Sequence, residues 1–199
     1  MTAGAIKRPV GRPREFDEEA ALEAAMDAFW RRGYEATSLA DLCDCTGLHK
    51  GSLYQAFGGK HQLFMRALNH YSDKEFERTS LAITESNTPL GNIRALAHKI
   101  ISDGVAEQGC MMINTMVELA PHDPEVKALL KRVGDLRLAA LAELIEQAQQ
   151  AGEVRAGLEP YRLARQLMIT FAGVAAAIKG YIGAAQAGEV IDDVINSWT

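Results

Sequence analysis

Thr37-Ser38-Leu39-Ala40-Asp41-Leu42-Cys43-Asp44-Cys45-Thr46-Gly47-Leu48-His49-Lys50-Gly51-Ser52-Leu53-Tyr54-Gln55-Ala56-Phe57-Gly58-Gly59-Lys60 is the stretch on which the fold turns. Ser38 with Asp41 three residues later has the form of a capping box, in which the hydroxyl takes the N3 amide and the acid returns to the N-cap amide, so a helix starts here. Leu39, Leu42 and Cys43 share one face of it, and Gly47 ends it after barely two turns. After the single apolar residue Leu48, a second short helix runs from His49 to Phe57 and stops at Gly58-Gly59. Leu53 and Phe57 stand at i,i+4 on it, with Lys50, Ser52 and Gln55 off that stripe. Two short helices joined at a tight glycine turn predict a helix-turn-helix.

Outward from this stretch the pattern stays helical. Upstream, Asp17 is a good N-cap, Glu18 and Glu19 favour the positive helix end, and Leu22, Ala25, Met26 and Phe29 repeat at helical spacing up to Gly33. Downstream, Leu63, Phe64, Ala67, Leu68 and Tyr71 mark a fourth helix running to about Glu85, before Asn87-Thr88-Pro89. Further helices are predicted at about 90–107, 111–119, 124–151, 160–183 and 188–197, separated by glycine and proline breaks. No stretch alternates with period two, so no sheet is expected. The chain reads as all-α, with a three-helix head joined to a larger helical body through the fourth helix.

Its 199 residues are enough to bury a full core in one or two domains. With 48% apolar and 24% charged residues the chain is globular rather than disordered. Three Cys cannot form a fully paired disulfide framework, and Lys7 and Arg8 run into Pro9 and Pro13 rather than an apolar segment, so no signal peptide is expected and the chain is assigned to the reducing cytoplasm. The longest charge-free apolar run, Gln166 to Ile178, falls short of the ~18–20 residues of a membrane-spanning helix, so no membrane partner is expected. The net charge of −5 argues against a polyanion partner only as an average. Lys7, Arg8, Arg12 and Arg14 stand without an acid in residues 1–14, whereas residues 71–199 carry 12 basic and 17 acidic side chains.

The segments Gly33-Tyr34-Glu35-Ala36-Thr37-Ser38, Thr46-Gly47-Leu48-His49-Lys50-Gly51-Ser52-Leu53-Tyr54, Phe57 and Lys60-His61-Gln62-Leu63-Phe64 together resemble the TetR-type (TetR/AcrR) one-component transcriptional regulators. In the body, Gly109-Cys110-Met111-Met112-Ile113-Asn114 and Glu118-Leu119-Ala120-Pro121-His122-Asp123-Pro124-Glu125-Val126 are similar to one subgroup of them. Residues 1–14, with two Pro, two Gly and no apolar periodicity, read as a flexible basic arm, and the resemblance implies a DNA-binding domain over 15–60 and an effector-binding and dimerisation domain over 61–199. Gly58 stands where the family has a charged or polar residue, from which a looser end to the third helix is expected.

In a helix-turn-helix the second helix enters the major groove, where all four base pairs are distinguishable. On the third helix here, Lys50 suits guanine acceptors or a phosphate, Gln55 suits adenine, and Ser52 suits either base or phosphate. Gly51 permits close backbone approach, despite the ~1 kcal/mol that glycine costs inside a helix. The resemblance adds Tyr54 and Lys60 as phosphate holders, joined by Thr37 and Ser38 at the start of the second helix, whose amides also favour an anion. From spacing alone the same helix also reads as the solvated face of a bundle. In the arm, Arg12 and Arg14 flank Pro13, either as an extended segment that follows a narrow minor groove or as a basic tail giving nonspecific attraction.

The body offers three further readings. Leu167 to Ile182 is dense in Ala and Gly, including Gly173 and Ala176, and permits close helix approach; it is either an internal core helix or, by the resemblance, part of a four-helix homodimer interface. Met112, Met116, Met168 and Phe171, with Asn114 as polar anchor, either line an adaptable effector pocket or are plain core and surface, and Glu118, one turn beyond Asn114, is a second such anchor. Cys110, at the start of the sixth helix, is either a buried structural thiol or a sensor of electrophiles and oxidants. Cys43 and Cys45 point to nearly opposite sides of a helix and cannot share a metal, no HxxxH pair occurs, and no P-loop, GxGxxG or GxSxG is present. No metal, cofactor or enzymatic activity is therefore expected. The chain is expected to be a cytoplasmic homodimeric repressor that binds a palindromic double-stranded DNA operator and is released by a small effector. The rival readings are a thiol-sensing regulator acting through Cys110 and a helical ligand carrier or enzyme.

Overall fold

The computed structural model describes residues 16–82, 86–104 and 108–199, with the backbone alone at 81–82 and 103–104. Among these, the chain forms nine α-helices and no strand: α1 (Glu18–Arg32), α2 (Leu39–Thr46), α3 (Lys50–Phe57), α4 (Lys60–Ala82), α5 (Pro89–Gly104), α6 (Met111–Glu118), α7 (Pro124–Gln150), α8 (Pro160–Ile178) and α9 (Ala184–Asn196). The caps expected at Asp17 and Ser38 are made, and a further one forms at Asp123. Asp17 accepts from the amides of Glu19 and Ala20, and Asp123 caps α7 through the amides of Glu125 and Val126. At α2 the Asp41 amide donates to the Ser38 hydroxyl at 3.1 Å, while the Ser38 amide donates to Asp41 Oδ2 at 2.8 Å. Gly47, at φ 69°, turns the chain from α2 towards α3 in the left-handed conformation that glycine adopts freely.

Two apolar clusters hold the molecule together. The first joins the inner faces of α1, α2 and α3 (Ala25, Phe29, Leu42, Leu53, Phe57) to α4 (Leu63, Phe64, Leu68, Tyr71), α6 (Met111, Met112) and the start of α7 (Val126, Leu130). The second joins α5 (Ile93, Ala97, Ile101) to the later part of α7 (Ala142, Ile145, Ala148), α8 (Leu163, Ala164, Leu167) and α9 (Ala187, Ile191, Ile195), closed by Trp198. The first cluster runs across position 60 without interruption, so the head shares its core with the near end of the body. Ion pairs from α1 to α4, Glu18 with Arg66 at 2.7 Å and Glu23 with His70 at 2.8 Å, edge that shared core.

Three local expectations are corrected. The helix predicted over 160–183 ends at Ile178, where Tyr181 and Gly180 amides turn back to the Ala177 carbonyl. The last helix begins at Ala184 rather than near 188, and Gly188 is a buried interior residue where a Cβ would lie 3.1 Å from the His98 ring. That glycine gives α5 room to approach α9 and breaks nothing. The end of α3 is tight rather than loose: Gly58 caps it at φ 84° with its amide 2.9 Å from the Tyr54 carbonyl.

Candidate nucleic-acid interface

Leu53 and Phe57 anchor α3 inward, fully buried in the first core. That fixes which face remains outside. Lys50, Gly51, Tyr54 and Gln55 are exposed and Ser52 is half-buried. His49 caps α3 through its backbone geometry, with no side-chain bond to the first turn, so the leading amides beside Lys50 have no acceptor from the cap residue. A Cβ built on Gly51 would meet nothing within 4 Å, so no neighbour inside the chain requires a glycine there.

Around α3 the expected phosphate-binding residues fall into different roles. Lys60, the first residue of α4, holds its ammonium 4.2 Å above the Tyr34 ring, and that ring packs edge-on against Phe64 with centroids 4.9 Å apart. Tyr54 is 46% exposed, with its ring over Gly59, where a Cβ would lie 3.1 Å from Cε1. Ser38 is exposed but committed to the cap, its hydroxyl donating to Asp41 Oδ2 at 2.6 Å. The Ser38 hydroxyl and amide, with Arg32 2.6 Å from Oδ1, hold the Asp41 carboxyl down at about 2. Thr37 departs from its expected role. It is fully buried, and its hydroxyl donates to the Gly33 carbonyl at 2.6 Å, so it braces the loop rather than offering a side chain to phosphate. The arm with Arg12 and Arg14 lies outside the described residues.

Sequence reasoning missed the joint between head and body. The Trp30 indole donates to the Gly109 carbonyl at 2.8 Å, His61 Nε2 lies 2.8 Å from Asp123 Oδ2, and the Glu118 carboxylate accepts from the amides of Tyr34 at 3.1 Å and Glu35 at 2.8 Å. Glu118 therefore faces the head, not a ligand. Backbone partners such as these leave no pattern in a sequence; the one readable signal was an acid at the C-terminal end of a helix, where the dipole disfavours it.

The body residues are not gathered in one cluster. Met112 is buried in the first core and Phe171 packs against the second, Met116 is 49% exposed, and Met168 is half-buried. Asn114 donates to the Gln108 carbonyl at 2.9 Å and accepts from Lys179 at 3.2 Å. Cys110, half-buried, is the N-cap of α6, and the Tyr71 hydroxyl donates to its sulfur at 3.8 Å. Burial, and then the neighbouring thiol, push the Tyr71 hydroxyl well above its ordinary range, so it stays a donor.

A buried-backed short helix presenting basic and amide side chains after a capped partner helix defines a helix-turn-helix DNA-binding protein. The comparisons with known proteins agree. Residues 21–67 match the family model for bacterial regulatory proteins, tetR family, and residues 89–191 match the tetracyclin repressor-like C-terminal domain. The chain belongs to the TetR family and is a DNA-binding transcriptional regulator. It is 34% identical over 153 residues to the HTH-type transcriptional repressor ComR of Escherichia coli (strain K12), covering 75% of this chain and 73% of that one. It is 31% identical over 152 residues to the HTH-type transcriptional regulator YezE of Bacillus subtilis (strain 168), covering 73% and 76%. Among solved structures, a cysteine mutant of the TetR family regulator CifR complexed with 26-bp double-strand operator DNA matches with a TM-score of 0.84 at 25% identity, covering 95% of this chain and all of that one. No described helix is long and apolar enough to cross a membrane.

Proposed function

We propose that the protein is a cytoplasmic homodimeric repressor whose two heads occupy half-sites of a palindromic operator and are released by a small apolar or amphipathic effector. Lys50, Gly51, Ser52 and Gln55 read the major groove, while Tyr54, Lys60 and the Ser38 end of α2 face phosphates, with Arg12 and Arg14 of the arm beside them. The division into an arm over 1–14, a DNA-binding domain over 15–60 and an effector-binding and dimerisation domain over 61–199 belongs to the same reading. The observation that carries it is Gly51: an exposed glycine inside α3 with no internal contact to explain it, flanked by Lys50 and Ser52. A glycine that weakens its own helix and serves no neighbour in the chain makes sense where another surface comes close.

Dimerisation is supported by the outer face of α8, where Ile169 is 66% exposed and Gly173 and Ala176, one and two turns further along, are also open. Both heads must fit grooves about 34–36 Å apart at once, so a shift of a few ångströms in head separation is enough for release. The test is selection of bound fragments from the source genome, followed by gel-shift titration of Lys50→Ala and Gln55→Ala on the recovered site. Each variant is expected to lose about 1–3 kcal/mol of operator affinity and to stay dimeric. Unchanged affinity in both variants removes the recognition-helix assignment.

A further inference from the structure

We infer that Glu118 is the positioning residue that holds the head in register with the body for DNA binding, an inference that rests on the operator reading above. Glu118 is the last residue of α6, at the helix end where a carboxylate is least welcome. It is held there by two amides, Tyr34 on Oε2 at 3.1 Å and Glu35 on Oε1 at 2.8 Å, from the loop between α1 and α2. Bonds from neutral donors to an ionised acceptor are the stronger kind. The loop approaches so closely that a Cβ on Gly33, at φ 82°, would sit 2.9 Å from Glu118 Oε2. Only a glycine passes that point without displacing the carboxylate.

The loop itself is hydrogen-bonded within its own span. The Thr37 amide reaches the Tyr34 carbonyl at 3.2 Å, the Thr37 hydroxyl the Gly33 carbonyl at 2.6 Å, and the capping box at Ser38 follows directly. The end of α6 is thus tied by hydrogen bonds to the loop that leads into α2, and Gly47 joins α2 to α3. A dimer that lacks this clamp populates head orientations that fit only one groove, and its apparent dissociation constant rises by the inverse of the competent fraction.

The test compares wild type with Glu118→Ala, Glu118→Gln and Glu118→Asp. Three quantities are measured: affinity for the genomic fragment selected by wild type, affinity for random-sequence DNA, and amide hydrogen exchange by NMR. Glu118→Ala is expected to bind the selected fragment about tenfold more weakly, with faster exchange at the Tyr34 and Glu35 amides. Exchange at Ala25 and Phe29 and binding to random DNA are expected to hold, and the melting point to fall by only a few degrees. Gln, which keeps one acceptor oxygen, should fall between, and Asp, one methylene short, should behave as Ala. Operator affinity equal to wild type in Glu118→Ala overturns the inference, and so does a loss accompanied by faster exchange throughout α1. If wild type selects no fragment, the operator reading fails instead, and unchanged exchange at Tyr34 and Glu35 in Glu118→Ala still rejects the clamp.

Discussion

Around the head and the near end of the body the interior is packed with rings and thioethers, whereas the buried distal interior is alanine and branched aliphatics around a single indole, with Phe171 at its edge. Phe29 meets Phe64 edge-on at 5.1 Å, Trp30 meets Tyr71 at 5.2 Å, and Met26, Met65, Met111 and Met112 fill the gaps. Large adaptable side chains suit a place where short helices meet at differing angles. In the distal half Ala142, Ala148, Ala164 and Ala187, each 1% exposed or less, let long helices lie close together. The head is therefore bolted to the body by big side chains and aligned by small polar ones, while the far half is a close stack of long helices with one face of α8 left open.

The largest effect is expected in the ring core. Phe64→Ala removes the ring that touches both Phe29 and Tyr34 and should cost about 3–5 kcal/mol in urea unfolding. A loss below 1 kcal/mol, roughly the scale of a surface change, would show that the rings are not what holds head to body. Next come two changes on α8 that separate its faces. Ala164→Leu, at a site with no exposure, should overpack the stack and cost about 1–3 kcal/mol of monomer stability. Gly173→Leu, where a Cβ meets nothing within 4 Å, should leave the monomer intact and shift light scattering at micromolar concentration from dimer to monomer. A Gly173→Leu protein that stays dimeric removes this face from the interface.

A smaller effect of opposite signs is expected at Gly51. Gly51→Ala meets no neighbour, so it should stabilise the fold by about 0.5–1 kcal/mol while weakening operator binding. If binding instead improves along with stability, the close-approach argument for that glycine is lost.

What was legible in the sequence was local. Asp17 and Ser38 with Asp41 declare helix starts through partners two or three residues away, Gly47 marks a helix end by its left-handed turn, and the Leu53 and Phe57 stripe declares which side of α3 is left outside. What was illegible depends on contacts made across the fold. Gly188 looks like a break until His98 of α5 is seen against it. Thr37 looks like its neighbour Ser38 until its burial and its bond to Gly33 separate them. The continuity of the first core across position 60 is set by α6 and α7, far along the chain, and the partners of Glu118 and Trp30 are backbone atoms that any residue could supply.

The capping box of α2 offers a titration that the apolar packing does not. Asp41 sits at about 2 when folded, below the ordinary 3.8, so it binds its proton less readily in the folded state. Its contribution to stability is present above the ordinary value and is lost as the pH falls through the folded one. The melting point of wild type should therefore exceed that of Asp41→Asn at about pH 5 and above, and the two should draw together as the pH falls below about 2. A difference that persists undiminished at the acid end would mean that the carboxylate charge is not what the box uses.

The smallest expected effect is at Cys110, whose thiol packs against the head-side core. Its sulfur accepts from Tyr71 and its backbone caps α6 without a side-chain bond. Ser is smaller, accepts from the same hydroxyl, and is among the favoured residues at a helix N-cap, so Cys110→Ser should change stability by less than about 1 kcal/mol and leave operator binding intact. Cys43 and Cys45 remain in that variant, so any difference in thiol chemistry between it and wild type belongs to Cys110. With N-ethylmaleimide at low excess, both proteins are expected to stay on the selected DNA fragment, because a half-buried thiol donated to by a buried tyrosine is a packing element of the joint. Release of wild type alone by the electrophile would reverse this: the thiol beside Tyr71 would then be the trigger, and the effector reading of the body would give way to covalent sensing at the same joint.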